Sequence, residues 1–146
     1  MTSTGDVGAP TATDAVALVR AFLEALGETS AGNIAAFEQY MAPDVEWDTG
    51  SRLLHSLQES IDHMRAMPEE YGVEAFRVNV KHIAGNDRVV LTERVDDLIK
   101  VGGGVLHETK VMGTFEVDGG KITAWRDYYD TAGLARDLAA LRSGEA

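Results

Sequence analysis

Three glycine-containing breaks in the second half of the chain constrain its fold more than any other feature of the sequence. The breaks are Gly85-Asn86-Asp87, Gly102-Gly103-Gly104 and Gly119-Gly120. They separate four apolar, extended segments, at about residues 74–84, 88–100, 105–117 and 120–130. Glycine and asparagine favour the tight turns that join antiparallel strands. This half of the chain is therefore predicted to form an antiparallel meander.

The first half of the chain shows helical spacing instead. After Thr13 and Asp14, which are candidate helix caps, apolar residues recur at helical intervals: Val16, Val19, Phe22, Leu23 and Leu26. A second helix is predicted from Ile34 to Tyr40, with Asn33 as its cap. A short strand should follow at Val45 to Trp47.

Ser56 and Glu59 have the spacing of a capping box, which predicts a third helix that ends at about Met67, before Pro68. A final helix is expected over about residues 131–141. Helices first and paired strands afterwards are typical of an α+β fold, because a parallel sheet would alternate strands with helices. We expect the helices to cover the concave face of a curved sheet and so to enclose a pocket.

The length of 146 residues suits one domain with a sizeable core. Residues 1–12 are small and polar, and we expect them to form a disordered tail. Residues 13–142 should then form a single domain, since no internal repeat or linker divides them.

Charge and composition exclude several classes of protein. The net charge of -11 argues against binding to nucleic acid or to anionic membranes, which would repel the chain. The sequence has no cysteine, which excludes disulfides and thiolate sites. No apolar run has the ~20 residues of a membrane span, and the N-terminus lacks the pattern of a signal peptide. We therefore expect a cytoplasmic protein.

Arg94 and Asp96 are the first candidates for a functional site. They are two residues apart on a predicted strand, so their side chains project from one face together with Val90 and Thr92. Asp127 shares a face of the last strand with Trp125 and Tyr129. An arginine and two carboxyl groups would be costly in a core, but they suit an active site. An exposed Arg94–Asp96 ion pair without chemistry is the alternative.

Two segments carry a resemblance to a known family. Thr92-Glu93-Arg94-Val95-Asp96 and Gly120-Lys121-Ile122-Thr123-Ala124-Trp125-Arg126-Asp127-Tyr128-Tyr129-Asp130 resemble the limonene-1,2-epoxide hydrolase family. These enzymes share a cone-shaped α+β fold with nuclear transport factor 2, ketosteroid isomerase and the SnoaL-type polyketide cyclases. The resemblance implies that fold over roughly residues 13–142, with N-terminal helices over a curved, mixed or antiparallel sheet and a C-terminal helix.

The resemblance also implies a reaction and its residues. An Asp-Arg-Asp triad opens an epoxide to a vicinal diol in one step, with no cofactor and no metal. Asp127 would take a proton from water, Asp96 would protonate the epoxide oxygen, and Arg94 would hold both carboxyl groups. The substrate would be a small apolar, terpenoid-like epoxide. General chemistry supports this division of roles, because two carboxyl groups in unlike environments can act as base and acid.

The short strand departs from the family pattern. The family holds the water with a Tyr and an Asn two residues apart, whereas this chain has Trp47 and Thr49. Trp47 can only donate a hydrogen bond, while Thr49 can donate and accept. We take Trp47, Thr49, Trp125 and Tyr129 as candidates for binding substrate or water. Because the water-holding pair differs, a SnoaL-like cyclase or isomerase and a non-catalytic ligand-binding module remain alternatives.

The histidines and the outer face of the sheet complete the predictions. None of the four histidines has the spacing of a helical metal pair, so no metal site is predicted. His55 is expected near the pocket mouth. Val89, Leu91 and Val95 project from the face opposite Arg94. Such apolar side chains need a cover, and a second copy of the chain is the simplest one. We therefore expect a homodimer.

Overall fold

A computed structural model describes residues 11–144 of the chain, which form four helices and six strands. The helices are α1 (Thr11–Ala25), α2 (Ser30–Tyr40), α3 (Leu57–Tyr71) and α4 (Thr131–Arg142). The strands are β1 (Met41–Asp48), β2 (Leu53–Leu54), β3 (Val73–Gly85), β4 (Val89–Lys100), β5 (Val105–Asp118) and β6 (Lys121–Tyr128). The predicted α+β class is confirmed. Residues 1–10 of the predicted tail lie outside the described residues, whereas Thr11 and Ala12 already belong to α1.

The six strands form one mixed sheet in the order β2-β1-β6-β5-β4-β3. The meander from β3 to β6 is antiparallel, as predicted, and each hairpin falls at one of the glycine-containing breaks. The short strand β1 pairs in parallel with β6, with Trp47 opposite Trp125. This pairing brings the N-terminal half of the chain to the strand that carries Asp127.

The helix boundaries differ from the predictions at the caps. α1 already contains Thr13 and Asp14, so neither caps it. Thr29 caps α2 through its side chain, which accepts a hydrogen bond from the Gly32 amide. Asn33, the predicted cap, is buried instead, and its Oδ1 accepts a hydrogen bond of 2.9 Å from the Phe76 amide of β3. An asparagine amide can therefore join a helix to the sheet as readily as it can cap a helix.

The start of α3 is as predicted, but its end is not. The Ser56 side chain accepts a 3.0 Å hydrogen bond from the Glu59 amide. Glu59 reaches back to the amide of His55, one residue before the cap. The helix then continues through Pro68 to Tyr71 and ends at Gly72, whose φ of 73° is left-handed. Gly72, rather than Pro68, is thus the stop signal.

The core lies between the sheet and the helices that cover its concave face. Phe22 of α1 and Phe37 of α2 pack edge-on against Trp125 of β6. The indole of Trp125 is sandwiched between Trp47, at 4.4 Å between ring centroids, and Phe115, at 5.4 Å. This aromatic cluster forms part of the core, and Trp47 and Trp125 also line a cavity to which α3 and α4 contribute.

Candidate active site

Arg94 joins two carboxyl groups from different strands. Its Nε and Nη2 donate to Asp96 Oδ1 at 3.1 Å and Oδ2 at 2.7 Å, and its Nη1 donates to Asp127 Oδ1 at 3.0 Å. The Arg94 side chain is fully buried, and those of Asp96 and Asp127 are 10% and 9% exposed. The alternative of an exposed ion pair is therefore wrong. Alternation along β4 places both residues on the concave face, as predicted.

The strand between the two carboxyl groups makes this contact possible. β5 lies between β4 and β6, and its Gly113 is paired with Thr92 on one side and with Asp127 on the other. A Cβ at Gly113 would overlap Arg94 Nη1 and would lie 2.6 Å from Asp127 Oδ1. The guanidinium thus crosses β5 over a residue without a side chain.

Thr92 makes a further hydrogen bond that orients the Arg94 guanidinium. Its Oγ1 accepts a 3.2 Å hydrogen bond from Arg94 Nη1 and donates one of 3.1 Å to the Gly113 carbonyl. Burial disfavours the charge of Arg94, but attraction to Asp127 and Asp96 outweighs it, so the pKa of Arg94 is raised. Arg94 therefore remains a cation that holds the two carboxyl groups and does not exchange protons with them.

Asp127 is oriented by two donors on the same oxygen. Oδ1 accepts hydrogen bonds from Arg94 Nη1 and from Trp125 Nε1, the latter at 2.8 Å. Among the described residues no side chain donates to Oδ2. Burial raises the pKa of Asp127, against the opposing effects of Arg94 and the Trp125 hydrogen bond. A carboxylate with a raised pKa is a stronger base than an ordinary aspartate, and one of its oxygens is available to a ligand.

Asp96 and Asp127 border a cavity of about 280 Å³. The cavity is walled mainly by apolar and aromatic side chains, among them Trp47, Met67, Phe76, Leu98, Val111 and Leu134. β4, β5 and β6 form its base, and α3 and α4 contribute to its walls. A site with two polar carboxyl groups at the base of an apolar cavity suits a small apolar molecule with one reactive polar group.

The four candidate binding residues all border this cavity. Trp47 and Trp125 are buried and stacked face to face, and Trp47 Nε1 has no hydrogen-bond partner among the described residues. The Thr49 hydroxyl is engaged in its own loop, where it accepts from the Arg52 amide at 3.2 Å and lies 3.2 Å from the Arg52 carbonyl oxygen. Burial raises the pKa of Tyr129, as do the negative charges of Asp127 and Asp96, while the nearby Ser51 hydroxyl lowers it.

Sequence reasoning missed two residues of the site and favoured the wrong histidine. Gly113 was not singled out, although a glycine inside an otherwise apolar strand is a known sign of close backbone approach.

His63 of α3 borders the cavity, whereas His55 is exposed beside Glu46 and does not. Burial and the charge of Arg52 lower the pKa of His63, so its imidazole is neutral at pH 7. His63 lies three residues after Ser60 and four before Met67, both buried, and this helical spacing could have indicated that it faces the cavity side.

Two further findings concern metals and membranes. Residues 11–144 contain no group of three or more His, Cys, Asp or Glu side chains that could hold a metal ion. Among the helices described, none is long and apolar enough to cross a membrane.

Comparison with protein families gives one match that covers most of the chain. Residues 13–140 match the model of the limonene-1,2-epoxide hydrolase catalytic domain. A stretch of 74 residues is 45% identical to epoxide hydrolase EphG of Mycobacterium tuberculosis. That alignment covers 48% of this chain and 48% of the relative, so it spans about half the length of the curated relative.

Comparison with solved structures gives matches over nearly the whole fold. The structure of an LEH-like epoxide hydrolase from M. tuberculosis has a TM-score of 0.68 and 33% identity, and covers 92% of this chain and 99% of its own. A putative SnoaL-like polyketide cyclase from Jannaschia sp. CCS1 has a TM-score of 0.70 at 14% identity, with 93% and 99% coverage. At that low identity the second likeness shows the shared fold alone.

Proposed function

Because the chain belongs to the limonene-1,2-epoxide hydrolase family, we propose that it hydrolyses a small apolar epoxide to a vicinal diol. The observation that carries the proposal is the buried bridge from Asp96 through Arg94 to Asp127 at the base of an apolar cavity. The reaction needs a base for the water and an acid for the epoxide oxygen, and two carboxyl groups held by one cation can supply both.

Asp127 is proposed as the base. Its Oδ1 is held by Arg94 and Trp125, so Oδ2 can accept a proton from a water molecule. Its raised pKa makes it a stronger base once it is ionised. The water then attacks one carbon of the epoxide, and the C–O bond to that carbon breaks.

Asp96 is proposed as the acid. It lies on the other side of Arg94, borders the same cavity, and would protonate the epoxide oxygen as the ring opens. The products are the diol, a protonated Asp127 and an ionised Asp96, so Asp127 must lose one proton and Asp96 must regain one before the next turnover. Since Arg94 keeps its protons, these transfers go through water in the cavity.

Tyr129 is proposed to hold the attacking water together with Asp127. The two residues lie two positions apart and border the same cavity, and the charge of Asp127 raises the pKa of Tyr129. A tyrosine hydroxyl can both donate and accept, unlike the indole of Trp47. Trp47 and Trp125 are proposed to shape the apolar wall against which the substrate packs. Thr49 would act indirectly, through the loop that positions Ser51.

The outer face of the sheet supports the proposal of a homodimer. Leu91, Met112 and Tyr128, on three neighbouring strands, are each more than half exposed, at 52%, 56% and 59%. Met112 is paired directly with Tyr128, and Leu91 is its diagonal neighbour on β4; we call these three side chains the outer patch. Val89 and Val95 are half-buried at its margin. Exposed apolar patches of this kind mark association surfaces.

The decisive experiment measures diol formation in ¹⁸O-labelled water with limonene oxide, cyclohexene oxide and styrene oxide. Wild-type protein should form diol with one labelled oxygen. Asp127→Asn and Asp96→Asn should each lower turnover by at least ~10²-fold, since positioned acid–base groups contribute ~10²–10⁴-fold. Full activity of either variant would refute the mechanism.

Asp97→Asn is the matched control. Asp97 is also a buried aspartate on β4 held by an arginine, at 2.8 Å from Arg77 Nη2, but it projects from the opposite face. Its variant should keep its turnover per folded molecule, so that loss of activity can be assigned to the cavity carboxyl groups.

An epoxide-opening cyclase is the second candidate, and one observation favours it. The Thr49 hydroxyl is bound within its own loop, and Trp47 cannot accept a hydrogen bond, so the short strand contributes little to holding water. A hydroxyl group of the substrate could then attack in place of water. A cyclic ether without the ¹⁸O label would identify this reaction. Tight binding without turnover, unchanged in both Asp→Asn variants, would identify a non-catalytic binding module.

A further inference from the structure

A second polar arrangement reaches the cavity from the surface. Thr109 of β5 borders the cavity and is 6% exposed. Its Oγ1 lies 3.0 Å from Nδ1 of His107, and Nε2 of the same ring lies 3.1 Å from Oδ2 of Asp137 on α4. The Asp137 side chain is half exposed, so the chain of hydrogen bonds runs from the solvent side of α4 to the cavity wall.

The two partners of His107 determine which ring nitrogen carries the proton when the ring is neutral. The Asp137 carboxylate can only accept a hydrogen bond, so Nε2 must donate to it. Nδ1 is then unprotonated and accepts, so the Thr109 hydroxyl must donate its single proton to Nδ1. The opposite tautomer would place a lone pair of Nε2 against a carboxylate.

This assignment changes what Thr109 offers to a ligand. A threonine hydroxyl is usually both donor and acceptor, but here its proton is committed to His107. Oγ1 can present only lone pairs to the cavity. A ligand group that donates a hydrogen bond is therefore favoured beside Thr109, and a group that only accepts is not.

Thr109 lies directly opposite the proposed acid. Asp96 and Thr109 are paired residues on the antiparallel strands β4 and β5, and both border the cavity. Side chains of directly opposed residues begin about 4.5–5.5 Å apart at Cβ. An epoxide whose oxygen points to Asp96 would therefore place a hydroxyl group on the neighbouring carbon within reach of Thr109.

We propose that Asp137, His107 and Thr109 form a subsite that selects ligand groups able to donate a hydrogen bond. The preferred substrates are then largely apolar epoxides with a hydroxyl group on a carbon attached to the epoxide ring. The inference rests on the proposed epoxide hydrolysis for its reaction, but the subsite itself is defined by hydrogen bonds outside the Asp-Arg-Asp bridge. Thr109 here is a specificity residue, and His107 and Asp137 position its hydroxyl.

The test compares two epoxides that differ only in the donor. These are 1-(hydroxymethyl)cyclohexene oxide and its methyl ether, assayed at mildly alkaline pH, which favours the neutral imidazole on which the assignment depends. Wild-type protein should prefer the alcohol in kcat/KM by roughly three- to tenfold, the effect of one neutral hydrogen bond. Thr109→Val keeps the size of the side chain but removes the acceptor, and should reduce the ratio to about one.

His107→Phe separates a positioning role from a purely structural one. Without Nδ1 the Thr109 hydroxyl can rotate and donate to an ether oxygen. The methyl ether should therefore be used better than by the wild-type protein, and the alcohol-to-ether ratio of kcat/KM should fall. His82→Phe is the control, because His82 makes a similar 2.9 Å contact, to Glu93, on the exposed side of β3. It should leave the ratio unchanged. A wild-type ratio of one, or a full preference in Thr109→Val, would overturn the proposal.

A binding measurement tests the subsite without turnover. Cyclohexylmethanol and its methyl ether are unreactive, and their affinities can be compared by NMR titration. The alcohol should bind more tightly to wild type, and this difference should vanish in Thr109→Val. Equal or undetectable binding of the alcohol would overturn the subsite. Selective alcohol binding together with no hydrolysis of any epoxide would instead refute the proposed function and leave the subsite standing.

Discussion

At Gly113 the absence of a side chain decides whether Arg94 and Asp127 can meet. The guanidinium reaches from β4 to β6 across this residue, and a methyl group there would occupy the position of Arg94 Nη1. The Asp127 carboxylate is close to the same point, so neither group can move away from an added methyl group without breaking the hydrogen bond between them. The geometry of the Asp96–Arg94–Asp127 bridge therefore depends on a residue that has no side chain.

Gly113→Ala should lower kcat/KM by about 10²-fold or more, because displacements of the order of 1 Å in a catalytic arrangement have effects of that size. Gly27→Ala is the control, since nothing lies within 4 Å of its added Cβ. Steady-state kinetics with thermal melts of both variants would check this. A folded Gly113→Ala variant with wild-type kcat/KM would show that the Arg94–Asp127 contact is not needed.

Trp125 should influence the pH at which Asp127, the proposed base, can act. Its indole N–H donates to Asp127 and lowers the pKa of that carboxyl group, against the larger raising effect of burial. Trp125→Phe removes the donor, so the pKa of Asp127 should rise further. The base acts only when ionised, and activity should therefore be lost at a higher pH as the solution is acidified.

The pH profile of kcat/KM measures this shift, and Trp47→Phe is its control. Trp47 stacks on Trp125 but makes no hydrogen bond to Asp127. In Trp47→Phe the acidic limb of the pH profile should stay at the wild-type pH, even if the magnitude of kcat/KM changes. An unshifted acidic limb in Trp125→Phe would mean that Asp127 does not govern the limb.

The residues of the bridge differ in how far sequence could predict them. Arg94 and Asp96 share a face because side chains alternate along a strand, and that rule is local. The contact with Asp127 depends on β6 being next but one to β4, which the hairpin order predicts. The role of Gly113 depends on the path of a side chain across a third strand, and no local pattern encodes that path.

Among the elements, α3 shows which helix signals are reliable. Its Ser56 cap was predicted because a serine oxygen satisfies an amide that the helix leaves free. Its end was misplaced because Pro68 disrupts the helix only through its missing N–H and its ring, and the last turn tolerates both here. Gly72 can adopt the left-handed conformation that terminates the helix at low cost.

Ser56→Ala should lower the free energy of unfolding by about 1 kcal/mol, the usual effect of losing a helix cap. Ser56→Asp keeps an oxygen in the same place and should retain most of the stability. Urea denaturation of the three proteins would measure the difference. Equal loss in both variants would show that the serine acts through packing rather than through its hydrogen bond.

Strand β1 shows what the sequence did not predict at this scale. The sequence indicated a strand at Val45 to Trp47, but the observed strand is longer, extends from Met41 to Asp48, and includes Pro43. The pairing with β6 is irregular between Met41 and Glu46, which accommodates the proline. Its parallel pairing with β6 joins segments that are far apart in the chain, so no turn or local pattern in the sequence predicts it.

For the whole molecule, the outer patch of Leu91, Met112 and Tyr128 raises the question of assembly. The chain carries a net charge of -11, so two copies repel each other at long range. Short-range burial of the apolar patch must exceed that repulsion for a dimer to form, and added salt should strengthen the dimer by screening the charge.

Leu91→Lys combined with Met112→Lys should therefore convert a dimer of wild-type protein into a monomer, because charged side chains replace the apolar ones of the outer patch and are costly to bury in an interface. Leu53→Lys is the control, since Leu53 is 48% exposed on the edge strand β2, away from the outer patch. Light scattering at low and moderate salt would give the masses. A monomeric mass for wild type at both salt concentrations would rule out the dimer, and the patch would then have no self-association role. A dimer that survives the double substitution would locate its interface elsewhere on the molecule.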